Sequence, residues 1–322
     1  MSEFALAVWS HRITDFGEQE DIARHADRLA AGGFDLVIPC VKNPPGGVDF
    51  FTNLAHVNEE YPDWDPLRVL IEECRQRGLK VHPWFCVFLE GDRSRLLRER
   101  PEYTARNTES IRWGCTCRPE VQDNVFALYE DLAQRYDPDG LHLDYIRTGG
   151  PCRCEFCKAQ MREQGVDIEA VEPAEPAHEQ WTQWRVSRLA AFVRRMHELT
   201  AGRGIELSAA VFADYPDCIV QQAQDWVLWA EEGIVDYLFP MTYTPSARVA
   251  WARTVSHVAL VRDRVPLWEG LSKDCEQGRL TPALLADQAR TVLEAGARGV
   301  VLFQYPSVSD EDIAALGALR SS

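Results

Sequence analysis

The chain has 322 residues, of which 46% are hydrophobic, so it can bury a sizeable core and lacks the composition of a disordered protein. Its 34 basic and 50 acidic residues give a net charge of −16 at pH 7. This charge disfavours nucleic acid and anionic membrane surfaces as partners, and no apolar run approaches the roughly 18 residues of a membrane span.

The first residues, 1–9, read MSEFALAVW and predict a β-strand. They lack the basic segment of a signal peptide, so we expect a cytoplasmic protein. In that reducing compartment, the ten cysteines are expected to be thiols or metal ligands and not disulfides.

One pattern then recurs along the chain: a helix-period segment ends near glycine, and a short apolar strand follows. The first predicted helix spans residues 18–31 and ends at Gly32-Gly33, before a strand at 34–39. Asp65-Pro66 supplies a cap and a first-turn proline for the next helix. The later strands are predicted within 79–88, 140–145, 205–212, 237–241, 265–269 and 299–303, with helices near 119–136, 181–200, 217–231, 246–260, 281 onward and 309 onward.

Eight strands alternating with helices indicate parallel strands with helical crossovers. Eight such units favour an α/β fold of the (β/α)₈ TIM barrel type, and we predict a single domain over residues 1–322. An open doubly wound sheet is the alternative. No Gly-x-Gly-x-x-Gly follows the first strand, so we expect no dinucleotide and no other organic cofactor. Extended loops follow strands two, three and four, on the face where barrels carry active sites.

Asp144 stands at the end of the fourth predicted strand. Strand alternation places His142 and Asp144 on one face, and an acid in an apolar barrel must lie near the mouth, where it can find a partner. Glu269 ends the seventh predicted strand, nearly opposite in a ring of eight. We therefore predict that Asp144 and Glu269 form the catalytic carboxylate pair that glycoside hydrolysis requires.

Other interpretations of these acids stay open at this point. Glu90, after strand three, and Asp214, after strand five, are rival second carboxylates. The non-catalytic interpretation of Asp144 is an ion pair with Arg147 or a cap on the following loop. Both the retaining and the inverting mechanism are compatible with the sequence, because it does not fix the separation of the carboxyl groups.

Aromatic residues cluster near the same strand ends, which suits a carbohydrate because the apolar faces of sugar rings stack on aromatic rings. For any one aromatic residue, packing in the barrel core is the alternative. The predicted substrate-binding residues are Trp9, His11, Trp84, His142, Tyr145, Arg147, Asp214, Tyr243, Trp268 and Tyr305.

The segment at 135–145, RYDPDGLHLDY, resembles the R-Y-D-V-D-G-I-H-x-D segment of the family-10-like glycosyl hydrolase barrels. The segments CRPEV at 117–121 and FPMTY at 239–243 resemble further parts of these barrels. The resemblance implies a (β/α)₈ fold, a carbohydrate substrate and Asp144 as a catalytic residue. Ile146 stands where chitinase-type barrels have a glutamate, so an N-acetyl-assisted mechanism is not indicated. No carboxylate ends strand six, as an α-galactosidase-like pair would require.

The run CRCEFC at 152–157 resembles a subgroup of these barrels with the same cysteine spacing. Cys115 and Cys117 precede the helix that leads into strand four, so both groups of cysteines belong to the same barrel face. Four thiolates form a closed, structural zinc site. We predict Cys117, Cys152, Cys154 and Cys157 as the ligands; free thiols and a redox or iron–sulfur site are the alternatives.

The sequence thus predicts a cytoplasmic glycoside hydrolase that acts on a small glycoside or oligosaccharide. One alternative is a non-catalytic carbohydrate-binding barrel with a structural zinc site. Another is a barrel lyase or metal-dependent hydrolase, which would need a metal at the barrel mouth. The sequence is compatible with a monomer and with an oligomer.

Overall fold

A computed structural model describes residues 4–58, 63–107, 110–147, 149–276 and 278–321; the start of the predicted first strand, 1–3, lies outside them. The described strands are β1 (Ala5–Ser10), β2 (Leu36–Lys42), β3 (Lys80–Val81), β4 (Trp84–Cys86), β5 (Gly140–Asp144), β6 (Glu206–Phe212), β7 (Tyr237–Met241), β8 (Trp268–Ser272), β9 (Asp274–Cys275), β10 (Gly278–Arg279) and β11 (Gly299–Phe303).

All the barrel strands pair in parallel, and β1 pairs with both β2 and β11, so the sheet closes on itself. β3 and β4 form one barrel strand interrupted at His82-Pro83, which gives eight positions in the ring. β9 and β10 form a small antiparallel hairpin beside the barrel. The predicted (β/α)₈ fold is therefore confirmed.

Helices follow the strands and cover the outside of the barrel. They are α1 (Gln19–Ala31), α2 (Pro66–Gln76), α3 (Arg95–Glu99), α4 (Pro119–Tyr136), α5 (Glu155–Glu163), α6 (Pro176–Arg203), α7 (Asp217–Gln222), α8 (Trp226–Glu232), α9 (Ala247–Val261), α10 (Pro282–Glu294) and α11 (Asp310–Gly317). Asp65 caps α2 by accepting from Arg68 N at 3.2 Å, as its sequence indicates. Among the described helices, none has the length and hydrophobicity that a bilayer crossing demands.

The strand predicted at 265–269 lies further along the chain, because β8 spans Trp268–Ser272. Before this strand, Pro266 accepts a hydrogen bond from the Leu238 N–H at 3.2 Å, but it has no backbone N–H of its own to donate to a neighbouring strand. The register with β11 pairs Trp268 with Gly299 and Ser272 with Phe303. The carboxyl end of this strand is therefore Ser272, three residues after the predicted one, which decides where Glu269 lies.

Gly140, the first residue of β5, lies against the buried ring of His82. A Cβ at this position would be 2.4 Å from His82 Nε2 and 2.7 Å from the Glu206 carbonyl oxygen. The ring has little room to yield, because its nitrogens lie 3.0 Å from Ser208 Oγ and 3.1 Å from Glu206 Oε2.

We expect Gly140→Ala to lower the free energy of unfolding by about 1–3 kcal/mol, because the methyl group overpacks this contact. Urea unfolding followed by circular dichroism measures the change. Gly202→Ala is the control: this glycine lies within α6 and its Cβ would meet nothing within 4 Å. The control should be neutral or stabilising by about 0.5–1 kcal/mol. Equal losses in the two variants would contradict this account of the contact.

Candidate active site

A cavity of about 710 Å³ lies at the carboxyl ends of the barrel strands, within the size range of small-molecule sites. Residues of β4, β5, β6, β7, β8 and β11 line its wall, together with residues that follow these strands or β1 and with Arg253 of α9. They are His11, Trp84, Asp144, Tyr145, Arg147, Phe212, Ala213, Asp214, Met241, Tyr243, Arg253, Ser272, Asp274, Cys275, Glu276 and Phe303.

Asp144, the last residue of β5, presents its carboxyl group to this cavity. Its Oδ1 accepts a hydrogen bond from the Tyr145 backbone N–H at 2.6 Å. Burial raises the pKa of Asp144 to about 6, although the Tyr145 hydrogen bond and the charge of Arg147 act to lower it. A carboxyl group with a pKa near 6 can both hold and release a proton close to neutral pH, as general acid–base catalysis requires.

Tyr145 adopts a left-handed backbone conformation, with φ of 50°, which is strained for a residue with a side chain. Adjacent residues of a regular strand face opposite sides, yet Asp144 and Tyr145 both line the cavity. The left-handed turn breaks the alternation at the strand end. It brings the tyrosine ring parallel to the ring of Trp84, with centroids 6.5 Å apart.

Arg147 lies among aromatic rings at the edge of the cavity. Its guanidinium carbon is 4.9 Å from the ring centroids of Trp113 and Tyr145, and 5.0 Å from that of Phe212. Cation–π contacts of this kind hold the charge in a fixed place. Sequence reasoning missed Trp113, because it lies in the loop before α4, far from any strand end.

The opposite wall carries His11, Tyr243 and Phe303. The His11 ring meets the edges of Trp84 and Phe303 at 5.8 and 6.1 Å, and Tyr243 stacks on Phe303 at 5.4 Å. Burial lowers the pKa of His11, so the imidazole is neutral at pH 7 and can both donate and accept hydrogen bonds. The predicted residues His11, Trp84, Tyr145, Arg147, Asp214 and Tyr243 thus share the cavity with Asp144.

Four predicted substrate-binding residues lie elsewhere, and their placement at the cavity was wrong. Trp9 donates from Nε1 to His142 Nε2 at 3.1 Å inside the barrel, one layer of side chains below Asp144. Trp268 begins β8, at the opposite end of the strand from the cavity, and stacks on Phe239. Tyr305 packs outside the barrel, where its hydroxyl lies 2.6 Å from His25 Nδ1 of α1.

Glu269 also lies away from the cavity, so its predicted pairing with Asp144 at the barrel mouth was wrong. It is the second residue of β8, is fully buried, and faces α9 on the outside of the sheet. His257 Nδ1 lies 2.8 Å from Glu269 Oε1, and Thr242 donates to Oε2 at 2.7 Å. Burial acts to lower the pKa of His257, but the hydrogen bond and charge of Glu269 raise it overall.

The structure distinguishes between Glu90 and Asp214, the two rival candidates for the second carboxylate. Glu90 is buried against Lys42, whose Nζ lies 3.1 Å from Oε1, and it does not line the cavity. Asp214 does line it and is ion-paired with Arg253 at 2.7 Å. Asp274 and Glu276 add two further carboxylates that sequence reasoning missed, because it ended the preceding strand three residues too early.

The cysteines of the two loops also come together, with one change to the predicted set. The sulfur atoms of Cys115, Cys152, Cys154 and Cys157 all lie within 4.8 Å of one another. Cys117, the predicted fourth ligand, is outside this group. It lies just before α4, with its Sγ 3.9 Å from Thr116 Oγ1. The Cys117 sulfur still lies close to those of Cys115 and Cys157, so the spacing Cys-x-Cys does not reveal which of the two sulfurs completes the group of four.

Comparison with known proteins agrees with this architecture. A family model described as glycosyl hydrolase-like 10 matches residues 15–271. Glycosyl hydrolase DigH of Escherichia coli K12 is 25% identical over 223 residues, covering 59% of this chain and 49% of that protein. Glycosyl hydrolase YngK of Bacillus subtilis is 28% identical over 100 residues, covering 28% and 19%. The chain spans about half the length of DigH and less of YngK.

Two solved structures share the fold at low sequence identity. The glycoside hydrolase domain of PgaB (BpsB) from Bordetella bronchiseptica superposes with a TM-score of 0.78 and 17% identity, covering 99% of this chain and 98% of that domain. Alpha-L-fucosidase isoenzyme 2 from Paenibacillus thiaminolyticus gives 0.72 and 18%, covering 99% and 49%. Since the family model spans most of the sequence, the chain belongs to the glycosyl hydrolase-like 10 family.

Proposed function

We propose that the protein is a glycoside hydrolase acting on a small glycoside or oligosaccharide, with Asp144 as its essential carboxyl group. The observation that carries this proposal is the position of Asp144. It ends a barrel strand, faces a cavity of about 710 Å³, and has a pKa raised to about 6. Membership of a glycosyl hydrolase-like family supports the same class of reaction.

The walls of the cavity suit a carbohydrate. Trp84, Tyr145, Tyr243 and Phe303 provide aromatic surface for the apolar faces of a sugar ring. Arg147 and the neutral imidazole of His11 provide polar groups beside these rings, which suits recognition of sugar hydroxyls. This combination of rings and few polar groups is typical of small-molecule sites that fix the orientation of a ligand.

For the second carboxylate we favour Asp214 over Glu269. Asp214 follows β6, the strand next to β5, and lines the cavity, where its carboxylate is held 2.7 Å from the guanidinium of Arg253. In the proposed reaction, protonated Asp144 gives its proton to the leaving glycosidic oxygen as the glycosidic bond breaks. On the opposite side of the sugar, the anomeric carbon forms a new bond either to the Asp214 carboxylate, which water then displaces, or to a water molecule that Asp214 deprotonates. Two carboxyl groups in different environments are the usual basis for such a division of roles.

Asp144→Asn removes the proton donor with almost no change in shape. We expect kcat/KM to fall by about 10²–10⁴-fold on any aryl glycoside or oligosaccharide that the parent protein cleaves. Hydrolysis of a panel of such substrates is the measurement. Asp263→Asn is the matched control, because Asp263 lies in the loop before β8, on the opposite face of the barrel.

Near-parental turnover by Asp144→Asn would refute the assignment of this residue. Calorimetry that detects sugar binding by the parent protein without any turnover would instead support the non-catalytic carbohydrate-binding alternative. Circular dichroism of both variants confirms that any loss is not due to unfolding.

The rate should also depend on pH through Asp144. If its protonated form is the active one, kcat/KM falls as pH rises through about 6, by about tenfold for each pH unit above that value. A pH–rate profile of the parent protein measures this limb, with ionic strength held constant. A limb centred near 4, the ordinary pKa of aspartate, would contradict the effect of burial.

Glu269→Gln should affect stability and not chemistry. Breaking its buried pair with His257 should lower the free energy of unfolding by about 3 kcal/mol, while kcat/KM of the folded protein stays within a few-fold of the parent. The pKa of His257 is raised on folding, so the stabilisation is fully present below about pH 6.5 and is lost as pH rises through the folded-state value.

Urea unfolding at pH 6 and pH 9, combined with the same hydrolysis assay, tests this account. The destabilisation by Glu269→Gln should be larger at pH 6. A variant of unchanged stability whose turnover falls as far as that of Asp144→Asn would restore Glu269 as the catalytic partner.

A further inference from the structure

The group formed by Cys115, Cys152, Cys154 and Cys157 lies outside the cavity and has the dimensions of a metal site. Three of the six Sγ–Sγ distances are 3.5 Å for Cys115–Cys157, 3.6 Å for Cys115–Cys154 and 3.7 Å for Cys154–Cys157, and the three to Cys152 are within 4.8 Å. A disulfide requires about 2.05 Å. Four sulfurs at about 2.3 Å from one zinc ion stand roughly 3.8 Å apart in a regular tetrahedron, close to the three distances among Cys115, Cys154 and Cys157.

A buried cation next to the cysteines is a second, independent observation. Arg185 of α6 is only 2% exposed, and its Nε and Nη1 have no hydrogen-bond partner within the described residues. It packs over the ring of Trp181, and the sulfurs of Cys117, Cys157 and Cys152 are near enough to act on its charge. A buried guanidinium is costly without a counter-charge. One Zn²⁺ with four thiolates carries a net charge of −2, which would supply it.

The surroundings of the cysteines also favour a metal. The four cysteines and Cys117 belong to a small hydrophobic core that is separate from the core of the barrel. The other buried apolar residues of this small core are Met161, Val166, Ile168 and Trp181. This core holds down the long segment between β5 and α6, whose helical part, α5, is short. Few apolar side chains stabilise so long a segment, and small cores of this kind commonly depend on a metal or a disulfide.

We propose that Cys115, Cys152, Cys154 and Cys157 bind one zinc ion, and that this ion holds in place the cavity wall that carries Arg147. Four protein ligands close the coordination sphere, so the ion acts structurally and not in catalysis. It joins the loop before α4 to the loop after β5. Trp113 lies two residues before Cys115, and its ring contacts the guanidinium of Arg147, five residues before Cys152. The zinc ion would therefore hold in place both loops that form the contact between Trp113 and Arg147.

Metal content tests the ligand set directly. The whole chain, purified without a polyhistidine tag and without chelators, should contain about one zinc per molecule by elemental mass spectrometry. Cys115→Ser and Cys154→Ser should each lose the metal. Cys117→Ser is the matched control, because this buried cysteine belongs to the same small core but lies outside the group of four.

Several outcomes would overturn the proposal. These are iron in place of zinc, a chain that stays metal-free after reconstitution with zinc under reducing conditions, and loss of zinc from Cys117→Ser with retention in Cys115→Ser. If the serine variants do not fold, the parent protein still decides the matter. Titration of its thiols with a mercurial should release zinc to a chromogenic chelator, and cobalt in its place should show the visible absorption of tetrahedral thiolate coordination.

Hydrogen–deuterium exchange tests what the ion does, with a readout that does not depend on activity. Removal of zinc should speed amide exchange in residues 110–118 and 149–157 while β1, β6 and β11 stay as protected as before. Equal acceleration throughout the barrel, or no change in the two loops, would contradict a local role for the ion.

Discussion

The strict alternation of side chains along parallel strands is the constraint on which the rest of this structure depends. In a closed ring, one set of alternate residues must fill the barrel and the other must pack against the helices. Along β5, this rule turns His142 into the barrel interior and turns Asp144 inward one layer of side chains nearer the mouth. Along β8 it gives the interior Trp268 and turns Glu269 outward to His257. Whether an acid serves the cavity or the helix layer is thus decided by a single residue of register.

The site itself begins where this alternation stops. The left-handed backbone at Tyr145 makes two successive residues face the cavity, and Arg147 follows into a group of aromatic rings. Rigid strands fix the carboxyl group, while the strained turn and the following loop place the groups around it. Strain of this kind persists only where neighbouring contacts hold it, and here Trp84 and Trp113 supply them on two sides of the tyrosine ring.

The fold could be predicted from the sequence because the alternation of helix-period and strand segments is a local property of the chain. Asp144 could be predicted because Gly140 marks the start of the strand in the sequence. The alternation of side chains along the strand then gives the direction of the Asp144 side chain. The position of Glu269 could not be predicted, because β8 runs from Trp268 to Ser272 and so ends three residues beyond the predicted end of the strand. The same displacement concealed Asp274 and Glu276. Depth within the barrel is a tertiary property, so Trp9 and His142 were placed one layer too high.

The charges on the cavity wall have a consequence for the proposed carbohydrate substrate. Asp144, Asp214, Asp274 and Glu276 face it, together with the arginines Arg147 and Arg253, and the second of these is already paired with Asp214. The balance of charge is negative, as it is for the whole molecule. A uronic acid or a sugar phosphate would approach against this field, whereas a neutral sugar would not. The rate at which a neutral sugar enters should therefore vary little with salt concentration.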